Sequence, residues 1–215
     1  MDGDVKQNRR AVTAVPQART RRTRASVVDA ARHLFDERGY AATTIEAISE
    51  RSDTPQPTIY RLFASKLGIL KAVIDVAIVG DDEDVAMADR PRVRDLLADP
   101  DAHQRVAHFA ALLRDLMART APVHRLLADA GRSDPDAASL LAEIARQRQK
   151  GQRRVARSLA RAGALRTDLR ERDAADIIHA LASPEVYGLL VLDRGWSGER
   201  YERWMADTLR QQLLP

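Results

Sequence analysis

Apolar residues recur along this chain at three- and four-residue intervals, and that period predicts helices rather than strands. Val27, Val28, Ala31, Leu34 and Phe35 form the first stripe, which Gly39 ends as a C-cap. Thr43 with Glu46 reads as a capping box opening a short helix that carries Ile45 and Ile48 and closes at Ser52. Asp53 follows, one of the few residues besides glycine that tolerates a left-handed turn position. Pro55 and Pro57 forbid a continuous helix, and Gln56, preceding a proline, is pushed from helical dihedrals, so a second short helix should begin at Pro57. Ile59, Leu62 and Phe63 give it an inner face. Ser65 then caps a helix carrying Leu67, Leu70, Val73, Ile74 and Ala77 toward a stop near Gly80, followed by an acidic loop at Asp81–Asp84.

The rest of the pattern is also helical. Val106, Phe109, Ala110, Leu113, Leu116 and Met117 stripe a helix across about 101–119, and Pro122 starts a short one reaching Leu127. Asp134-Pro135 opens a long helix whose middle, 146–154, has no apolar residue, with Gly151 as its expected weak point. Asp173 opens another, Ser183-Pro184 restarts it with a cap and a proline at the first helical position, and a final helix follows Gly195. The expected fold class is all-α: a disordered basic arm (1–20), a three-helix helix-turn-helix unit (21–68) and a larger helical ligand-binding and dimerisation domain (69–215).

A short helix, a tight turn and a second short helix outline a reader of the DNA major groove. Gln56, Thr58, Tyr60 and Arg61 are left pointing outward from the second helix. Gln56 and Thr58 suit base edges, Gln with adenine being a favoured bidentate pairing, and the Pro57 ring suits a thymine methyl. Tyr60, Lys66 and Thr44 are candidates for phosphate, and Arg61 for either. Lys66 stands in a helix's first turn, unfavourable for the dipole, so an anion outside the protein is expected to compensate.

The run from Arg24 to Leu70, with AARHLFDERGY, TTIEAI, PTIYRLF and SK, resembles the tetracycline-repressor (TetR-like) family of bacterial transcriptional regulators. Gln56 through Tyr60 is similar to the recognition helix of the tetracycline repressor itself. Four positions depart from the family pattern. Asp53 and Pro55 stand for a glycine and a small polar residue, Leu62 for an aromatic or histidine, and Glu46 for a base-reading arginine of the tetracycline repressor. The resemblance implies a homodimer on a palindromic operator, joined by its two C-terminal helices. It also implies a small-molecule effector among helices of residues 69–183 that favours a dimer unable to match the operator. A repressor of this kind is the main expectation. The alternatives are an effector-independent, nucleoid-type DNA binder and a helical ligand-binding dimer with a decayed DNA-binding unit.

Charge and composition fit this reading. Residues 1–66 hold 12 Lys and Arg against 8 Asp and Glu, while the remainder holds 23 of each, so the +4 excess sits at the DNA-reading end. The arm, basic from Lys6 to Arg24 and without apolar periodicity, is either a solubilising tail or a segment touching phosphate or minor groove. No run of 18 apolar residues and no signal-peptide core occur, and cysteine is absent, so a cytoplasmic protein away from the membrane is expected. No hydrolase, phosphate-loop or metal-ligand motif is present, and the histidines stand apart, so neither catalysis nor a cofactor is expected.

Phe109 is the only aromatic between Leu67 and Val186, so an effector pocket there would be aliphatic and suit an aliphatic or acyl compound. Its candidate lining is His103, Phe109, Leu113 and Met117. The basic cluster of Arg146, Arg148, Lys150, Arg153, Arg154, Arg157 and Arg161 reads as a solvated face pairing with acidic loops. For the dimer interface, Ile178, Leu181, Val186, Leu189, Leu190, Tyr201, Trp204 and Met205 supply apolar faces on adjacent helices, with Gly188 permitting close approach.

Overall fold

The computed structural model describes the backbone of residues 5–79 and 90–215, with side chains from Ala18 to Ile78 and from Arg90 onward. The acidic loop and the stop near Gly80 lie outside the described residues. Every regular element among them is helical. Two compact units divide between Val73 and Ile74.

The first unit contains α1 (Val5–Ala42), α2 (Ile45–Ser52), α3 (Gln56–Phe63) and the start of α4 (Lys66–Val79). α1 runs back to Val5 through residues expected as a disordered arm, of which 1–4 lie outside the described residues. Ala, Arg and Gln are strong helix formers, and adding a residue to an anchored helix costs far less than nucleating one. The anchor is the stripe of Val27, Ala31, Leu34 and Phe35, each at most 2% exposed. Gly39 ends the regular stretch at φ 77, ψ 167, a conformation only glycine adopts readily. Ile48, Ile59, Ile69 and Leu70 are buried as fully, and α1 packs on α2 and α2 on α3.

The second unit contains α5 (Pro91–Ala98), α6 (Ala102–Ala130), α7 (Pro135–Arg161), α8 (Glu171–Leu181), α9 (Pro184–Tyr187), a π-helical turn (Gly188–Asp193) and α10 (Gly198–Leu213). Its core joins Leu113 of α6, Leu159 of α7, Ile178 of α8 and Tyr201, Met205 and Leu209 of α10. Asp101, Asp134, Ser183 and Ser197 cap α6, α7, α9 and α10 by accepting from backbone N–H groups two or three residues on. Arg105 is buried where α6 meets α7 and donates to the carbonyls of Ser158 and Asp99.

Two expected interruptions are absent. Pro122 lies inside the unbroken 29-residue α6 instead of starting a new helix, because burial of Ala121 before it and of Val123 and Leu127 after it outweighs the single lost backbone bond. Gly151 likewise does not break α7, since Gln152, Val155 and Ala156 dock immediately after it. α5 was not evident from the sequence. Residues 171–193 are long and apolar enough by composition to cross a membrane, but the stretch breaks at Ala182-Ser183, and its Ile178 and Tyr187 belong to the second unit's core.

Candidate DNA-reading surface and ligand cavity

The turn between α2 and α3 is closed by side chains from three segments. Thr44 caps α2 at φ −107, ψ 158, its Oγ1 accepting from Ala47 N at 3.1 Å. The cap is therefore Thr44, one residue after the expected Thr43, and with Ala47 in place of a Glu or Gln the reciprocal half of the expected capping box is missing. Thr43 is fully buried, and its hydroxyl faces the carbonyls of Gly39 at 2.8 Å and Leu34 at 3.1 Å, so it is not free to cap. Asp53 takes the left-handed conformation, φ 49, ψ 38. Ser49 Oγ donates to Thr54 O at 2.7 Å and Ser26 Oγ to Ser52 O at 3.2 Å, satisfying the turn's carbonyls. Pro55, at φ −55, ψ 138, serves as N-cap of α3. Gln56 is the first helical residue, one position earlier than its following proline suggests, with Pro57 tolerated in the first turn. Asp53 and Pro55 thus fit the turn without disrupting it.

The faces of α3 separate cleanly. Ile59 and Phe63 are buried at 1% and 6% exposure, whereas Gln56, Pro57, Tyr60 and Arg61 are exposed and Thr58 is half-buried. Arg24 holds the far end of α3: its guanidinium donates to Leu62 O at 3.1 Å and lies 4.5 Å from the Phe63 ring centroid. A cation at a helix C-terminus complements its dipole. Arg51 Nη1 donates to both carboxylate oxygens of Glu37 at 2.8 Å, tying α2 to α1. Thr44 is exposed, and its hydroxyl proton is not used by the cap, so it can still donate outward.

Lys66 departs from its expected role. Its Nζ donates to the carbonyls of Tyr40 and Thr43, both at 2.9 Å, and of Ala41 at 3.4 Å, and lies 4.4 Å from the Tyr40 ring centroid. Burial lowers its pKa. The compensating negative charge is the carbonyl end of α1, inside the protein, and all three N–H donors are occupied. The α3–α4 turn is equally tight. Ala64 adopts φ 63, ψ −40, Ser65 N donates to Phe63 O at 2.8 Å, and a Cβ on Gly68 would lie 1.9 Å from that same oxygen. Only glycine fits at position 68.

The expected dimer residues divide into two groups. Ile178, Tyr201 and Met205 are fully buried within their own unit and offer nothing to a partner, a correction that follows from their place beneath α8 and α10. Leu189 is 61% and Leu192 42% exposed, and Leu181, Val186, Leu190 and Trp204 are half-buried. The π-helical turn sets this pattern by rotating Leu189 and Leu192 outward. Gly188 is buried and faces Arg125 of the same chain, whose Nη2 would lie 3.0 Å from an added Cβ, so its small size serves an internal contact.

The second unit contains a partly open cavity of about 540 Å³, within the range of roughly 300–1,000 Å³ usual for ligand sites. Phe109, Leu113 and Met117 line it together with Leu96 and Val93 of α5 and Ile144 and Val155 of α7. His103 does not. It lies exposed in the first turn of α6, where only its backbone is engaged. A polar group that the sequence reading dispersed gathers at one wall. His124 Nε2 stands 3.8 Å from Glu185 Oε1, Arg148 Nη1 stands 3.7 Å from Glu185 Oε2, and Gln152 bridges His179 Nδ1 at 2.7 Å and Ala182 O at 2.9 Å. Burial lowers the pKa of His124 against the pull of Glu185, and burial followed by the Arg148 charge lowers that of His179. The available signal was that Arg148 and Gln152 fall on the Ile144–Val155–Leu159 stripe of α7.

An exposed polar face on a short second helix, braced by a first helix that buries Ile48 and Ser52, has the form of a helix-turn-helix unit. Residues 27–73 match the model described as bacterial regulatory proteins, tetR family. An uncharacterised HTH-type transcriptional regulator of Bacillus subtilis (strain 168), YvkB, is 37% identical over 54 residues, a match spanning 25% of this chain and 29% of that relative. The fold as a whole is similar to solved regulators. The SmeT–triclosan complex aligns over 90% of this chain and 92% of its own at TM-score 0.67 and 20% identity. A protein from Saccharomonospora viridis in complex with choline aligns over 89% and 97% at TM-score 0.65 and 19% identity. At these identities the similarity is one of fold.

Proposed function

We propose that this chain is a sequence-specific DNA-binding transcriptional regulator, a cytoplasmic homodimer that represses from a palindromic operator and is released by a small molecule. The observation that carries the reading is the division of α3, with Ile59 and Phe63 buried and Gln56, Pro57, Tyr60 and Arg61 exposed. Gln56 and Thr58 read base edges, Pro57 packs on a thymine methyl, Tyr60 and Thr44 hold phosphate, and Arg61 contacts either. Lys66 supports the unit from within. Two α3 helices reach successive major grooves if the dimer sets them about 34–36 Å apart. The partner face consists of Leu181, Val186, Leu189, Leu190, Leu192 and Trp204, where apolar area is left exposed or half-exposed.

Three observations support effector control and repression. The second unit holds a cavity of ligand size, its fold relatives include complexes with triclosan and choline, and SmeT is the repressor of a multidrug efflux pump in Stenotrophomonas maltophilia. An effector acts only by preferring the dimer that cannot match the operator. A gel shift on the DNA flanking the chain's own coding sequence tests the reading. Gln56→Ala is expected to cost about 1–3 kcal/mol at one operator position, whereas Tyr60→Phe weakens every sequence alike. Equal, sequence-independent losses from both changes would overturn the assignment of roles. Binding without sequence preference would favour the nucleoid-type alternative, and no binding would favour a decayed reader.

A further inference from the structure

Three observations converge on one wall of the cavity in the second unit. Of the described residues that line it, most are aliphatic, three are basic (Arg148, Lys150 and Arg154), and none is Asp or Glu. The Arg148 side chain is only 18% exposed, and its Nη1 is buried with no hydrogen-bond partner among the described residues. Among the described residues Glu185 is the acid paired with it, at 3.7 Å, too far for a hydrogen bond, and the Glu185 side chain is itself 60% exposed. A buried guanidinium N–H with no acceptor is unfavourable unless something supplies one. Water could do so, but the adjoining wall is Leu113, Met117, Ile144 and Val155, which favours an acceptor attached to an apolar body.

We propose that the cavity binds an amphipathic carboxylate, its acid group accepting from the Arg148 guanidinium and its aliphatic chain lying along Leu113, Met117 and Val155. Arginine presents paired donors that match the two oxygens of a carboxylate. His124 and Gln147 line the same cavity and can add donors to either oxygen, His124 on taking up a proton. A cationic head would meet three basic side chains with no acid among the described lining residues, and a neutral alcohol would bring no charge to the guanidinium. The identification of this ligand class rests on the reading of the cavity as the effector site.

Three probes sharing a ten-carbon chain separate the possibilities in titration calorimetry on the full-length protein below micellar concentrations. Decanoate is expected to bind at least tenfold more tightly than 1-decanol, and decyltrimethylammonium not at all. Arg148→Gln should reduce decanoate affinity at least tenfold and leave 1-decanol unchanged, and Arg148→Lys should restore part of the loss. Equal binding of decanoate and 1-decanol by the wild-type chain, or undiminished decanoate binding by Arg148→Gln, would overturn the proposal. The wild-type comparison stands if the variants do not fold. A parallel gel shift keeps the two readings apart. Arg148-dependent decanoate binding by a chain that binds no DNA would refute the regulator and keep this site. Operator release by 1-decanol as readily as by decanoate would keep the regulator and refute this site.

Discussion

Lys66 shows how one side chain can hold three segments together. Its ammonium joins three carbonyls at the end of α1 to the start of α4 and lies against the Tyr40 ring. Removing it leaves those carbonyls without their charged donor, and hydrogen bonds to charged groups contribute about 1.5–3 kcal/mol. Lys66→Met should therefore lower the urea midpoint of the full-length protein, with operator affinity restored wherever the chain remains folded. An unchanged midpoint with a uniform loss of DNA affinity would return Lys66 to the phosphate contacts. The sequence exposed the conflict between Lys66 and the helix dipole but not its resolution, because the carbonyls that answer it lie more than 20 residues away and belong to no motif.

At the scale of the element, α7 carries most of the chemistry of the second unit. Arg148 and Gln152 interrupt its apolar stripe and meet His124 of α6, His179 of α8 and Glu185 of α9. Both histidines have pKa values lowered by burial, while an unfolded chain protonates near the ordinary value of about 6.5. Above that pH both states are neutral there and stability is undiminished. As pH falls below it the unfolded chain takes up protons that the folded chain resists, so stability declines. Unfolding midpoints measured from pH 7.5 to 5 should fall, and the double change His124→Gln with His179→Gln should flatten the slope. A slope identical in that variant would remove these histidines from the account.

Elements differed in how much of them could be read beforehand. α2, α3 and the left-handed Asp53 were legible because caps, prolines and apolar spacing act locally. The run through Pro122 and the π-helical turn were not, because tertiary burial overrides local breakers and sets no periodic signal of its own. Exposure was the hardest quantity to infer. Ile178, Tyr201 and Met205 look like interface residues on a helical wheel, yet they are enclosed by their own unit, which leaves Leu189 and Leu192 outermost. The cavity's apolar lining followed from the stripe of α6, whereas its polar wall needed four helices brought together.

For the whole molecule, the central claim is that two copies of the α3 face read one duplex with two-fold symmetry. Hydroxyl-radical footprinting of the full-length chain on its flanking DNA tests this most directly. The account predicts two protected half-sites of inverted sequence, their centres about 10–10.5 base pairs or a multiple apart. It also predicts that Leu189→Asp with Leu192→Asp abolishes the paired pattern at concentrations where the wild-type chain shows it. A single unpaired protection, or even protection along the whole fragment, would contradict it.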